Sequence, residues 1–133
     1  MRAALLALIW IVIEFAPAAA QPASSPPPPQ KQRCFFITEM QNWKAPDART
    51  IFIRVNMNQF YRLDLSAACP LLTMAGSHLI TRTRGPDTVC SAIDWDLSVA
   101  QSPPASMPEP CIVRKMTPLT PEQAAAIPPK FRP

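Results

Sequence analysis

The chain has 133 residues, with 13 Lys and Arg against nine Asp and Glu, one His and a net charge of +4. The charges are scattered rather than run together, which argues against a nucleic-acid surface, and two Gly cannot build a glycine-rich phosphate loop. Four Cys and 18 Pro stand out, and the length suits one modest hydrophobic core.

Residues 1–20 read as a signal peptide. Arg2 supplies the positive start, and residues 3–13 are an apolar run shorter than the roughly 20 residues of a bilayer span. Ala18, Ala19 and Ala20 supply the small-residue cleavage site. Cleavage after Ala20 removes Arg2 and Glu14 together and so keeps the net charge of +4. The expected address is secreted or periplasmic, with no stable membrane insertion after cleavage. Residues 21–33 read as a Pro-rich disordered linker, 34–127 as a single β-rich domain and 128–133 as a flexible tail.

Within the domain, residues 34–40 read as a short first strand and 41–47 as a connecting loop. Trp43 in that loop is either a lid on the core or a binding-surface aromatic. Residues 49–65 carry the clearest signal. Ile51, Ile53 and Val55 alternate with polar or outward positions, as do Tyr61, Leu63 and Leu65, which predicts a β-hairpin. A three-residue loop of Met57, Asn58 and Gln59 pairs Val55 with Tyr61, Ile53 with Leu63 and Ile51 with Leu65. One face is then wholly apolar, with Asn58 in the left-handed conformation. The other face carries Phe52, Arg54, Phe60 and Arg62, with Arg54 opposite Arg62 and Asp64 placed to relieve the like-charge pair. With Trp43, these residues are the candidate binding face for an unknown protein or a small anionic ligand. The alternative is a solvated face whose two Phe are covered by another segment.

Further on, Pro70 opens a short helix in 66–75 that Gly76 ends. Residues 77–83 and 88–99 read as a second hairpin about the turn Arg84, Gly85, Pro86 and Asp87. It sets Val89, Ile93, Trp95, Leu97 and Val99 on one face and Cys90, Ala92, Asp94 and Asp96 on the other. Residues 101–110 form an irregular Pro-rich loop, and 111–116 a final strand. Thr120, Pro121 and Gln123 are the N-cap, N1 and N3 of a capped helix.

An even number of Cys in a small exported chain reads as two disulfides. No CxxC and no His near a Cys argues against zinc or redox roles. If the first strand pairs with 50–56, Cys34 and Cys69 fall at opposite ends of the sheet. Of the two remaining connectivities, Cys34 with Cys111 and Cys69 with Cys90 is the expected one.

Little catalytic chemistry is legible. His78 is the single His, and Ser77 beside it points to the opposite face of a strand, so the two cannot act as nucleophile and base. Asp94 and Asp96 share a strand face, and paired carboxylates can serve as acid and base in glycoside hydrolysis, but such pairs usually come from different elements lining a cleft, and a solvated strand face or an Arg partner such as Arg82 is the preferred account of them. No metal site and no cofactor are expected.

The Cys-led first strand, Trp43 and Asp47, Tyr61-x-Leu63-x-Leu65 followed by Cys69, Val89-Cys90 before Asp94, and Cys111-Ile112 before Leu119 together resemble a family. It comprises small exported four-cysteine proteins of Gram-negative bacteria and is classed as a domain of unknown function. The resemblance implies a secreted or periplasmic β-rich domain and brings no activity or site residues. The expected fold is mainly β: a small antiparallel sheet or partial barrel of about six strands with one or two short helices, stapled by disulfides. The expected function is a non-enzymatic secreted or periplasmic binding domain. A small secreted protein inhibitor presenting the 101–110 loop is the first alternative and a hydrolytic enzyme the second.

Overall fold

The computed structural model describes residues 33–102 and 107–133. The expected signal peptide, and the linker as far as Gln32, lie outside the described residues. Among the described residues the fold is mainly β, with nine strands and one short α-helix. The strands form three antiparallel sheets.

The largest sheet has four strands in the order β2 (Met40–Asp47), β3 (Thr50–Val55), β4 (Gln59–Leu65) and β9 (Val113–Leu119). A second sheet joins β5 (Ser77–Thr83), β7 (Trp95–Gln101) and β8 (Glu109–Pro110). A two-stranded ribbon pairs β1 (Phe35–Phe36) with β6 (Thr88–Val89). The core draws on all three: Ile51, Ile53, Val55, Tyr61 and Leu63 from the first sheet, Trp95, Leu97 and Val99 from the second, and Phe35 and Val89 from the ribbon. Phe35 sits with its ring centroid 5.0 Å from Tyr61 and 6.2 Å from Trp95. The ribbon is thus tied to both sheets by aromatic contact, a geometry that adds to area burial.

The β3–β4 hairpin keeps the expected apolar face but not the expected register. Val55 pairs with Gln59, Ile53 with Tyr61 and Ile51 with Leu63. The loop is Asn56, Met57 and Asn58, and Asn56, at φ +53°, takes the left-handed position. The ladder has moved by two residues, so every side chain keeps its face while its partner changes. Arg54 therefore lies opposite Phe60, and Phe52 opposite Arg62. The like-charge opposition is gone.

The disulfides also differ from the expectation of Cys34 with Cys111 and Cys69 with Cys90. Cys34 bridges Cys90, with Cα atoms 4.2 Å apart, and Cys69 bridges Cys111 at 6.0 Å. The reason is strand pairing. The stretch after Cys34 does not pair as a whole with β3. Phe35–Phe36 pairs with β6, a 3-10 turn at Ile37–Glu39 follows, and only from Met40 does the chain join the large sheet. Residues 41–47, expected as loop, are most of strand β2. Cys69 follows β4 and Cys111 precedes β9. These strands are neighbours whose ends meet, with the Ser66 N–H donating to the Ile112 carbonyl at 2.9 Å.

The second hairpin is divided in the same way. β5 pairs with β7 from Trp95 on, while Thr88–Val89 belongs to the ribbon. Between them Ala92–Asp94 is a 3-10 turn, and Ile93, expected inward, is exposed. The helix expected in 66–75 is a 3-10 turn at Pro70–Thr73 that buries Leu72.

The capping box forms: the Gln123 N–H donates to Thr120 Oγ1 at 3.2 Å, and the Thr120 N–H donates to Gln123 Oε1 at 2.9 Å. It opens α1 (Pro121–Ala126). The tail beyond it is tied down rather than loose. A 3-10 turn follows at Pro129–Phe131, Pro133 is buried, and Arg132 donates to the carbonyls of Ala125 and Ile127. Helix α1 touches β9 and the Pro129–Phe131 turn touches β2, the two edges of the four-stranded sheet. Ala124 and Ile127 are buried yet stand outside the core cluster. Since the inner side of the sheet is filled by the core, the C-terminal segment crosses the outer side as a strap. Among the described residues no helix is long and apolar enough to cross a membrane.

Candidate functional site

The outer side of the four-stranded sheet follows from the register. Side chains directly opposite each other share a face. Lys44, Phe52, Arg62 and Thr117 form one row across the sheet. Asn42, Arg54, Phe60 and Leu119 form a second, and Thr50, Asp64 and Lys115 a third. Of the residues expected to make a binding face, Phe52, Arg54, Phe60 and Arg62 are brought together here. Trp43 is not. It lies opposite Ile53, packs against the core from the inner side, and opens onto a separate cavity of about 600 Å³ shared with Leu72, Met74 and Phe131.

Phe52, Arg54 and Phe60 are only partly exposed, and the Nε of Arg54 is fully buried without a hydrogen-bond partner. Burial on an outer face needs a cover, and the strap is the segment that passes there. The open part of the face lies toward the other end, around Arg62, Asp64 and Lys115.

A β-bulge enriches that end in charge. Leu65 pairs with Val113 but Asp64 with Lys115, so Arg114 is an extra residue on β9. Val113 and Met116 both face the core, and the two residues between them, Arg114 and Lys115, are both left to the outer side. Bulges re-aim side chains in this way. Arg49, at the β2–β3 turn, joins them. Arg49, Thr50, Arg62, Asp64, Ser66 and Arg114 line a cavity of about 390 Å³. The carboxylate of Asp64 accepts from Arg62 Nε at 2.8 Å, and that of Asp47 accepts from the Arg49 backbone N–H at 2.7 Å.

A family model matches residues 1–130. The chain belongs to that family, DUF6491, a family of unknown function. No curated protein and no solved structure matches the chain. The functional reading therefore rests on the geometry.

The residues considered for hydrolysis do not converge. His78 is exposed on β5 opposite Ala100. Asp96 lies opposite Arg82, four positions along the strand and so about 13 Å from the His78 row. Asp94 is not on the same strand. Its carboxylate accepts from the backbone N–H groups of Cys90 at 2.8 Å and Ser91 at 2.7 Å, and from the Ser91 hydroxyl at 3.1 Å. Those donors, the backbone ones foremost, hold its pKa below the ordinary value of 3.8. The Ser77 hydroxyl donates to the Leu71 carbonyl. All four Cys are in bridges, so none is free to ligate a metal. The 101–110 loop is anchored at both ends, by the Ser102 N–H on the Gly76 carbonyl at 3.0 Å and by the Cys69–Cys111 bridge. Residues 103–106 at its centre lie outside the described residues.

Sequence reasoning missed Arg49, Thr50, Arg114 and Lys115. Arg114 and Lys115 are adjacent, and strict strand alternation would send one of them inward. The pattern Val113-Arg114-Lys115-Met116, with two cations between two apolar residues, is itself the signal of a bulge.

Proposed function

We propose that this protein is an exported, disulfide-stapled binding domain, without catalysis of its own, that takes an anionic partner on the open end of the outer sheet face. The observation that carries the reading is the β9 bulge, which leaves Arg114 and Lys115 side by side beside Asp64 and Leu65, with Arg114 lining the same cavity as Arg62 and Arg49. Six cations (Lys44, Arg49, Arg54, Arg62, Arg114 and Lys115) belong to this face or its rim, against the two acids Asp47 and Asp64. Clustered charge of one sign attracts and orients an oppositely charged partner. Export is supported by the two disulfides, which persist in oxidising compartments, and by the signal-like pattern of residues 1–20 with its small-residue site ending at Ala20.

The test is retention on immobilised heparin, a sulfated polyanion, as salt is raised. Wild-type protein is expected to be retained and to elute with salt. The double variant Arg114→Gln/Lys115→Gln is expected to elute markedly earlier. The control Arg82→Gln/Arg84→Gln removes the same charge from the β5 region and is expected to elute close to wild type. Equal losses in the two variants would mean net charge alone is being read, and the assignment to this face would fall.

A further inference from the structure

We infer that the cavity between the β2–β3 turn, the end of β4 and the β9 bulge is a site for a tetrahedral oxyanion carried as a phosphate or sulfate ester of a small polar molecule. This rests on the reading of the outer face as an anion-binding surface and names the ligand chemistry. Three arginines, Arg49, Arg62 and Arg114, line it from three separate chain segments. Both acids at the site are already engaged, Asp64 by Arg62 Nε at 2.8 Å and Asp47 by the Arg49 backbone N–H at 2.7 Å. Arg49 and Arg114 make no ion pair among the described residues. Their planar, always-charged forks are the groups that recognise phosphate and sulfate by paired hydrogen bonds.

A second feature points the same way. Thr50 is the one buried polar residue among those described, 7% exposed, and its hydroxyl makes no hydrogen bond to another described residue. It lines this same cavity. The hydroxyl is not sealed from solvent, since Arg54 Nε is the one side-chain polar atom among the described residues that is buried without a partner; an oxyanion seated between the arginines would give the hydroxyl an acceptor in place of water. Ser66 offers a second hydroxyl at the rim.

The shape and lining select the ligand class. A lone carboxylate is satisfied by one guanidinium fork, whereas three forks and two hydroxyls match a group with three or four acceptor oxygens. At about 390 Å³ the cavity is at the small end of ligand sites, a size for one ester group with the polar body it is attached to. Leu65 is its single apolar lining residue, so the body is polar rather than a lipid chain or an aromatic ring.

The experiment is titration of the full protein with glucose 6-phosphate, glucose 6-sulfate and, as the carboxylate control, glucuronate, followed by amide NMR. Saturable shifts are expected at Thr50, Asp64, Ser66 and Arg114 with one or both esters, and the stronger ester identifies the source of the oxyanion. Glucuronate is expected to bind at least severalfold more weakly. Arg49→Gln and Arg114→Gln are each expected to weaken ester binding by about tenfold, with unchanged spectral dispersion as the control for folding. Absence of saturable shifts with both esters, shifts that survive both variants, or glucuronate binding as tightly as the esters would each overturn the proposal. If the esters fail while salt-dependent heparin retention through Arg114 and Lys115 persists, the oxyanion site falls and the outer-face reading stands. If retention fails as well, both fall.

Discussion

Cys34 lies opposite Cys90 in the same ladder that pairs Phe35 with Val89 and Phe36 with Thr88, so the disulfide is a covalent rung at the end of a ribbon only two pairs long. Two pairs of residues cannot hold a ribbon by themselves. The bridge and the contacts of Phe35 with Tyr61 and Trp95 hold it against the core.

Removing that bridge with Cys34→Ser/Cys90→Ser is expected to lower stability by about 4 kcal/mol from loop entropy alone, given the sequence separation of 56. The loss for Cys69→Ser/Cys111→Ser, with a separation of 42, is expected to be similar in size. The local consequences differ. Urea unfolding reads the global loss, and hydrogen exchange reads where the structure opens. Exchange at the amides of Phe35 and Val89 is expected to rise only in the first variant, because β4 and β9 remain laddered in the second.

Ile53 is wholly buried at the centre of the large sheet, while Met57 at the hairpin tip is 81% exposed. Ile53→Ala is expected to cost about 2–5 kcal/mol through lost burial and a residual cavity. Met57→Ala is expected to stay within about 0.5 kcal/mol of wild type. The two denaturation midpoints, measured side by side, check the sign and the ratio.

Both Gly have positive φ, +79° at Gly76 and +136° at Gly85, but only one is crowded. A Cβ at Gly76 would stand 2.6 Å from the Ser102 carbonyl oxygen, whereas a Cβ at Gly85 meets nothing within 4 Å. Gly76→Ala must move the backbone that anchors the 101–110 loop, and its cost is expected to exceed that of Gly85→Ala, which carries backbone strain of about 1 kcal/mol. Thermal midpoints of the two variants give the comparison.

The Asp94 carboxylate is held below its ordinary pKa of 3.8 by the Cys90 and Ser91 backbone N–H groups. A depressed folded-state pKa adds stability that is fully present above the unfolded value and is lost as pH falls through the folded one. Wild-type protein is therefore expected to lose stability as acid is added below 3.8. Asp94→Asn, which cannot ionise, is expected to be less stable at neutral pH and to show a flatter profile in the acid range. Urea midpoints of both proteins from about pH 2 to 6 test this. Parallel profiles would remove Asp94 from the acid response.

Much of the local structure is readable along the chain. The alternation of Ile51, Ile53, Val55, Tyr61, Leu63 and Leu65 assigns the inner face, and all six are buried. Thr120, Pro121 and Gln123 announce a capped helix because the capping groups lie within four consecutive residues. The basic-aromatic set of Phe52, Arg54, Phe60 and Arg62 is legible for the same reason, as the other parity of the same alternation. The cavity is not, because Arg49, Thr50, Arg62 and Arg114 come from segments far apart along the chain and meet only through β4–β9 pairing and a bulge.

Side-chain parity, turn chemistry and capping are local properties, and the sequence by itself determined them. Partner choice is not local. A hairpin moved by two residues presents the same faces, so nothing in the alternation distinguishes Ile53 opposite Leu63 from Ile53 opposite Tyr61. The short segments Phe35–Phe36 and Thr88–Val89 can each extend a neighbouring strand or pair with one another. They pair with one another where Phe35 and Val89 both enter the common core. That choice set Cys34 against Cys90 and left Cys69 to Cys111. Tertiary packing decided it, because burying apolar area from all three sheets at once favours a single arrangement among pairings that are locally equivalent.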